Sequence, residues 1–413
     1  VATAASLMDD RDALRRDPLG LLAARAADPG LPRVWLGGTS AVLLARPELV
    51  RAALVEHVEH LGKPGFLRAS NRGHWGEGLT TLEGEAWRAR RARLRGVFGP
   101  PRVQAHRTVV RAHAQRLVQG WSSGTAVDLR VSLRELTAAS AARFVLGTDV
   151  EGWTTPQAPA PRSGTVPMGE AYGEDFTAVA PGDVPLALTR PRAPATMPVT
   201  VAIIDEAARR GDDRGDALSF ALATGLPRDA VVDELIQMLF AGHHTVPTVM
   251  LSCLRMLARE PALARRLRLE LASSAPGTAT DEPSLLERVL LETMRVHPPA
   301  PILYREVITP FELAGERLEP GTGVWVCTHV LHHDPRSFDE PTRFWPDRFS
   351  SPARATIPAF AFLPFGAGPR TCAASRLATV QMVEACAVLV REHVLRPLDE
   401  HRLGDRFVVE RLG

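Results

Sequence analysis

The chain has 413 residues, 45% of them hydrophobic and 23% charged, with a formal net charge of +2. That is enough apolar material for a large core, and the near-neutral balance argues for neither nucleic acid nor an acidic partner. The four cysteines, Cys253, Cys327, Cys372 and Cys386, include no Cys-x-x-Cys pair, which argues against a zinc site and against a disulfide scaffold. Lys63 is the only lysine, so nearly all positive charge is arginine. Two readings fit: arginine codons of a GC-rich genome, or recognition of carboxylate and phosphate.

Val1-Ala2-Thr3-Ala4-Ala5 turns charged at Asp9 without a basic segment leading into an apolar one. Nor is there a run of about eighteen apolar residues, so the expectation is a cytoplasmic chain without a membrane anchor. Residues 31–36 and 41–45 flank Gly37-Gly38 and predict a β-hairpin. Helical spacing follows over 85–97, 103–120 and 131–146. Residues 151–200 then carry nine prolines, from Pro156 to Pro198. Proline is excluded from helix interiors, so this stretch reads as a mobile lid or a linker. Helix resumes over 199–297, with Asp229–Glu260 as its longest periodic segment. Strands are expected at 302–308, 311–314 and 323–328, then a proline-rich loop over 335–364 and a last helix over about 373–394. The fold class is mainly α with a small β region.

The strongest chemical signal is Phe365-Gly366-Ala367-Gly368-Pro369-Arg370-Thr371-Cys372, followed at once by a helical run. Glycines permit close backbone approach to a ligand, arginine suits a carboxylate, and a helix N-terminus favours a thiolate. The plainer alternative is a glycine turn before a helix with a packed cysteine. The string resembles the haem-binding loop of the cytochrome P450 superfamily, apart from Ala374 in place of its usual glycine. Glu292-Thr293-Met294-Arg295 resembles that family's Glu-x-x-Arg, and Pro346-Asp347-Arg348-Phe349 its Pro-x-Arg-Phe. The three stand in the family's order.

The resemblance implies a single cytochrome P450 domain over 1–413, with the lid at about 151–200, and a b-type haem ligated by Cys372. It implies propionate contacts from Trp87, Arg91, Arg305 and Arg370, a loop shaped by Phe365 and Gly366, and a structural network of Glu292, Arg295 and Arg348. Ala241-Gly242-His243-His244-Thr245 is similar to its oxygen-activating helix segment, with His244 where an acid is usual. Thr245 and His244 are then the proton-delivery pair; the alternative for either histidine is an ordinary helix position. Gly242 is expected to loosen the helix, and Pro247 to kink it.

The implied function is a haem-thiolate monooxygenase inserting one oxygen atom from O2 into a small organic substrate, a secondary-metabolite intermediate. The chain has no flavin or nicotinamide fingerprint, so electrons are expected from a ferredoxin or flavodoxin with its reductase, docking on Arg88, Arg90, Arg93 and Arg95. Two alternatives stay open: a peroxide-using or otherwise partner-independent haem-thiolate enzyme, and a haem-binding protein without turnover.

Overall fold

The computed structural model describes residues 10–36, 39–148, 202, 205, 209, 215–273, 282–398 and 405–412. The expected lid over about 151–200, and the glycines of the predicted hairpin turn, lie outside the described residues.

Two short helices, α1 (Arg11–Arg16) and α2 (Pro18–Ala26), open the described chain. Asp17 caps α2 by accepting the Gly20 N–H, with Pro18 inside the first turn. Strands β1 (Arg33–Leu36) and β2 (Thr39–Leu44) pair antiparallel, as the alternating pattern requires. Next come α3 (Pro47–Arg51), a π turn at Ala52–Glu56, β3 (Leu61–Gly62), α4 (Gly65–Trp75), α5 (Gly84–Arg93) and α6 (Pro100–Gln119). Strand β4 (Ala126–Asp128) leads into α7 (Leu129–Leu146), which Asp128 caps.

Beyond the undescribed stretch lie α8 (Ala217–Ala223), α9 (Arg228–Arg259), α10 (Pro261–Ser273) and α11 (Leu285–Val296). A capping box between Ser284 and Glu287 fixes the start of α11. Strands β5 (Leu303–Val307), β6 (Phe311–Leu313), β7 (Glu316–Leu318) and β8 (Gly323–Val326) follow, then α12 (Thr328–His332) and α13 (Ser351–Arg354). The chain closes with α14 (Ser375–Glu392), β9 (His393–Pro397) and β10 (Arg406–Arg411).

Helix α9 is apolar on several faces because it runs through the core. Its first half packs Val231, Leu235 and Leu239 among Phe144, Ala217 and Leu377. Its second half packs Val249, Met250 and Leu254 among Leu133, Val289 and Met382. It touches α7, α11 and α14, and α14 also lies along α6. Beside this helical body, a five-stranded sheet has the order β1-β2-β8-β5-β3, with only β2 and β8 parallel. Cα partners Arg305 and Val324 set its register at the strand that carries a candidate site residue. Smaller sheets join β4, β10 and β9, and β6 to β7. No helix among the described residues is long and apolar enough to cross a membrane.

Some sequence expectations change among the described residues. The region 199–297 is several helices, not one, with breaks at Gly225 and Glu260. Strand β7 was not expected; it pairs back on β6 after Ala314 and Gly315, both at positive φ. Helix α9 runs through both Gly242 and Pro247.

Candidate active site

The loop before α14 is built by its own backbone. The Cys372 N–H donates to the Phe365 carbonyl at 2.9 Å, which folds the segment into a closed turn. Gly366 and Gly368 sit at φ +75° and +70°. A Cβ on Gly368 would lie 2.0 Å from the Leu54 carbonyl of the π turn, so only glycine lets the two backbones meet. Phe365 is half-buried against the helical core and anchors the loop's other end. The Cys372 side chain is solvent-accessible. The surrounding protein nonetheless pushes its thiol up by burial, opposed by the Ala374 N–H that it accepts and by the charge of Arg91. Cys372 stands three residues before the first residue of α14, not within the helix. Ala374 is the N-cap at φ −95°, a region open to any residue, so the departure from glycine strains nothing there.

Around this loop lies a group of cations. Arg370 donates to the Leu82 carbonyl at 3.1 Å through both terminal nitrogens, and pairs with Glu83. Its guanidinium lies 4.3 Å from the centre of the Trp87 ring, which holds it by a cation–π contact. Arg91, one turn after Trp87 on α5, donates to the Thr371 carbonyl at 3.0 Å and braces the loop. Arg305, from β5, donates to the Tyr304 carbonyl at 2.8 Å. Lys63, just after β3, donates through Nζ to the Thr80 carbonyl at 2.5 Å, and its own N–H reaches Glu83 at 3.1 Å.

These cations crowd one another. Burial first, then Arg370 and Arg305, lower the Lys63 ammonium to about 7, opposed only by Glu83. Burial, then Arg370, lowers Arg305 to about 10. Lys63, Arg305 and Arg370 surround the Glu83 carboxylate, so the group carries excess positive charge: one unit from the two arginines against Glu83, and up to a second when Lys63 is protonated. The sequence reading missed Lys63 and Glu83. The available signal was that Lys63 is the only lysine of an arginine-rich chain.

A second charged group is closed. Glu292 and Arg295, three apart on α11, are fully buried and joined by two hydrogen bonds of 2.8 Å. Arg295 also donates to the carbonyls of His332, Pro341 and Arg343 at 2.8, 2.7 and 3.1 Å. Glu292 accepts the Trp345 N–H at 2.8 Å and faces Arg348 at 3.6 Å. Arg348 is held between the Phe338 and Trp345 rings. The structure thus brings Glu292, Arg295 and Arg348 together.

On α9, Ala241 and Thr245 are exposed one turn apart, and the Thr245 hydroxyl donates to the Ala241 carbonyl at a long 3.4 Å. His244 is adjacent to Thr245 on this helix; its side chain lies outside the described residues. The expected docking face does not hold together. Arg90 turns inward to Glu234 at 2.9 Å, leaving its side chain 14% exposed, while Arg88, Arg93 and Arg95 remain exposed. Residues 88 and 90 point about 200° apart on a helix and share no face.

A family model described as Cytochrome P450 matches residues 201–407. The cyclooctat-9-en-7-ol 5-monooxygenase of Streptomyces melanosporofaciens is 28% identical over 405 residues, 94% of this chain and 87% of that protein. Cyclooctatin synthase of the same organism is 28% identical over 414 residues, covering 95% and 89%. The pentalenene oxygenase of Streptomyces avermitilis is 25% identical over 405 residues, covering 92% and 87%. The matched region contains the Glu292–Arg295 network, the Cys372 loop and the helix bearing Thr245, and with half of the sequence inside that match the chain belongs to the cytochrome P450 family.

Proposed function

We propose that this protein, a haem-thiolate monooxygenase by its family, holds haem b through Cys372 and oxidises an apolar, ring-containing alkene or alcohol. The observation that carries the reading is the unbalanced charge beside the cysteine loop. Lys63, Arg305 and Arg370 against Glu83 leave positive charge uncompensated, which suits a porphyrin with two propionates, and an anion there would in turn keep Lys63 protonated. Trp87 orients Arg370, and Arg91 braces the loop through Thr371. The sequence has no Cys-x-x-Cys-His attachment, which suits a non-covalent b-type group. Bound there, the haem supplies activation of O2, and an electron-rich thiolate favours O–O cleavage.

The chain's own residues do the rest. Thr245 Oγ1 lies on the accessible face of α9 and passes a proton toward the reacting centre; His244 relays it. The protein is read as one domain over 1–413, acting in the cytoplasm. Electrons arrive from a ferredoxin or flavodoxin with its reductase; of the four arginines, Arg88, Arg93 and Arg95 remain exposed to take part in docking. The substrate class follows the relatives, whose names specify cyclooctat-9-en-7-ol and pentalenene. Stepwise addition of such compounds, read by the shift of the haem Soret band, tests it. Saturable shifts with ring compounds and hydroxylated product on adding ferredoxin, reductase and reduced nicotinamide are expected. Product with peroxide alone, and none with the redox proteins, would move the protein to the partner-independent class.

A further inference from the structure

The segment Trp75–Leu82, between α4 and α5, has almost no regular structure of its own, yet its backbone groups are captured from two sides. From α9, Gln237 accepts both the Thr80 N–H at 2.9 Å and the Thr80 hydroxyl at 2.7 Å. The Gln237 amide donates to the carbonyls of Gly76 at 3.1 Å and Trp75 at 3.4 Å. One turn earlier, Asp233 accepts the Glu77 N–H at 2.8 Å. From the other side, Lys63 takes the Thr80 carbonyl and Arg370 the Leu82 carbonyl.

The fit leaves no slack. A Cβ on Gly76, at φ +72°, would lie 2.1 Å from the Asp233 carboxyl, and one on Gly78 would lie 2.7 Å from the Gln237 amide. Gln237 is 3% exposed, so its lost bonds would not be replaced by water without moving the segment. At the near end, the Trp75 ring sits 4.0 Å from Phe240, the residue next to Ala241 on the accessible face of α9.

We propose that Gln237 is a positioning residue that clamps Trp75–Leu82 to α9, fixing the Trp75 ring against Phe240 and so setting the size of ligand accepted at the Ala241–Thr245 face. This rests on the haem reading above, since Gln237 itself touches neither the cysteine loop nor the cations. It acts through a strap whose other edge they hold, so haem retention and ligand size are separable.

The test uses the haem-loaded protein and two probes read by the Soret shift, imidazole and the bulkier 4-phenylimidazole. Gln237→Leu should keep the haem content and the imidazole affinity within about twofold. It should change the ratio of the two affinities by about tenfold, and speed amide exchange in 75–82 by at least about tenfold. Thr80→Val, a milder change, should shift both readouts the same way by less. The double variant should match Gln237→Leu, because the two changes remove one shared contact. A Gln237→Leu protein with wild-type ratio and exchange would overturn the clamp, as would a double variant in which the two effects multiply. Absence of any haem spectrum in the wild-type protein would instead sink the haem reading, and the exchange comparison would still decide the clamp.

Discussion

Two groups of charges lie near the cysteine loop, and they differ in one respect. Glu292, Arg295 and Arg348 are buried, and although one carboxylate serves two arginines, the surplus charge is taken up by backbone carbonyls and by the Phe338 and Trp345 rings. Lys63, Arg305, Arg370 and Glu83 are also largely enclosed, but here three cationic side chains share one carboxylate and depress one another. A closed network holds the structure; an open one awaits a ligand of opposite charge. Buried charge without a full set of partners is costly, so an anion beside the second group would stabilise it.

The largest expected effect breaks the closed group. Glu292→Ala leaves Arg295 and Arg348 buried without a counter-charge, at a cost of about 3–5 kcal/mol. Denaturant unfolding should show that loss, with little haem-loaded protein recovered. A stable, fully loaded variant would remove the distinction between the two groups.

Acid should strike the closed group next. His332 lies beneath it, giving its carbonyl to Arg295 and accepting the Leu363 N–H through Nε2. Burial, then His333 and Arg295, depress this imidazole to about 3. A depressed pKa means the stabilisation is complete above the unfolded value, near 6.5, and is lost as pH falls toward 3. Each pH unit in that window costs about 1.4 kcal/mol per such histidine. His106, lowered to about 4 mainly by burial, adds to the slope until that point. Denaturation midpoints should therefore fall steeply between pH 6.5 and 4; a flat profile would contradict the buried neutral histidines.

On the distal helix, Thr245→Ala should divert reducing equivalents into hydrogen peroxide with little product. His244→Ala should slow product formation by about 10²-fold, the low end for a positioned acid–base group, with haem content unchanged. Coupling efficiency checks both, and a fully coupled His244→Ala enzyme would remove the relay.

The smallest effect sharpens the comparison by its sign. Lys63→Met removes one cation from a crowded group. The haem-free protein should gain stability, by about 1 kcal/mol, while the loaded protein releases haem faster. Melting of both forms and the haem transfer rate read it out. Loss of stability in the haem-free form would mean that the open group is as self-sufficient as the closed one.

Much of this was legible in the sequence, for different reasons. The Phe365–Cys372 string is contiguous: its glycines, its arginine and its cysteine stand together in the sequence, although Gly368 and Arg370 meet distant partners. Glu292 and Arg295 are three apart, so a helix alone puts them together. Long periodic helices such as α9 and α14 also announce themselves. Lys63 stood out only as the single lysine and Glu83 not at all, because β3 and the α5 N-terminus meet only in the folded chain. The Gln237 strap is hidden for the same reason: apart from the Thr80 hydroxyl, its partners at 75–80 are backbone groups, which carry no sequence mark. Arg90 misled because a run of arginines was read as one face, whereas the helix turns it inward to Glu234. Strands β9 and β10 went unread since β9 follows α14 without a break and both carry arginines.

The most direct test of the account is the reduced carbonyl spectrum of the purified protein and its cysteine variants. Wild type, Cys253→Ala, Cys327→Ala and Cys386→Ala should all show the far-red Soret band of thiolate ligation, and Cys372→Ala should lose it. The band persisting in Cys372→Ala, or vanishing in one of the other three instead, would contradict the assignment on which the site rests.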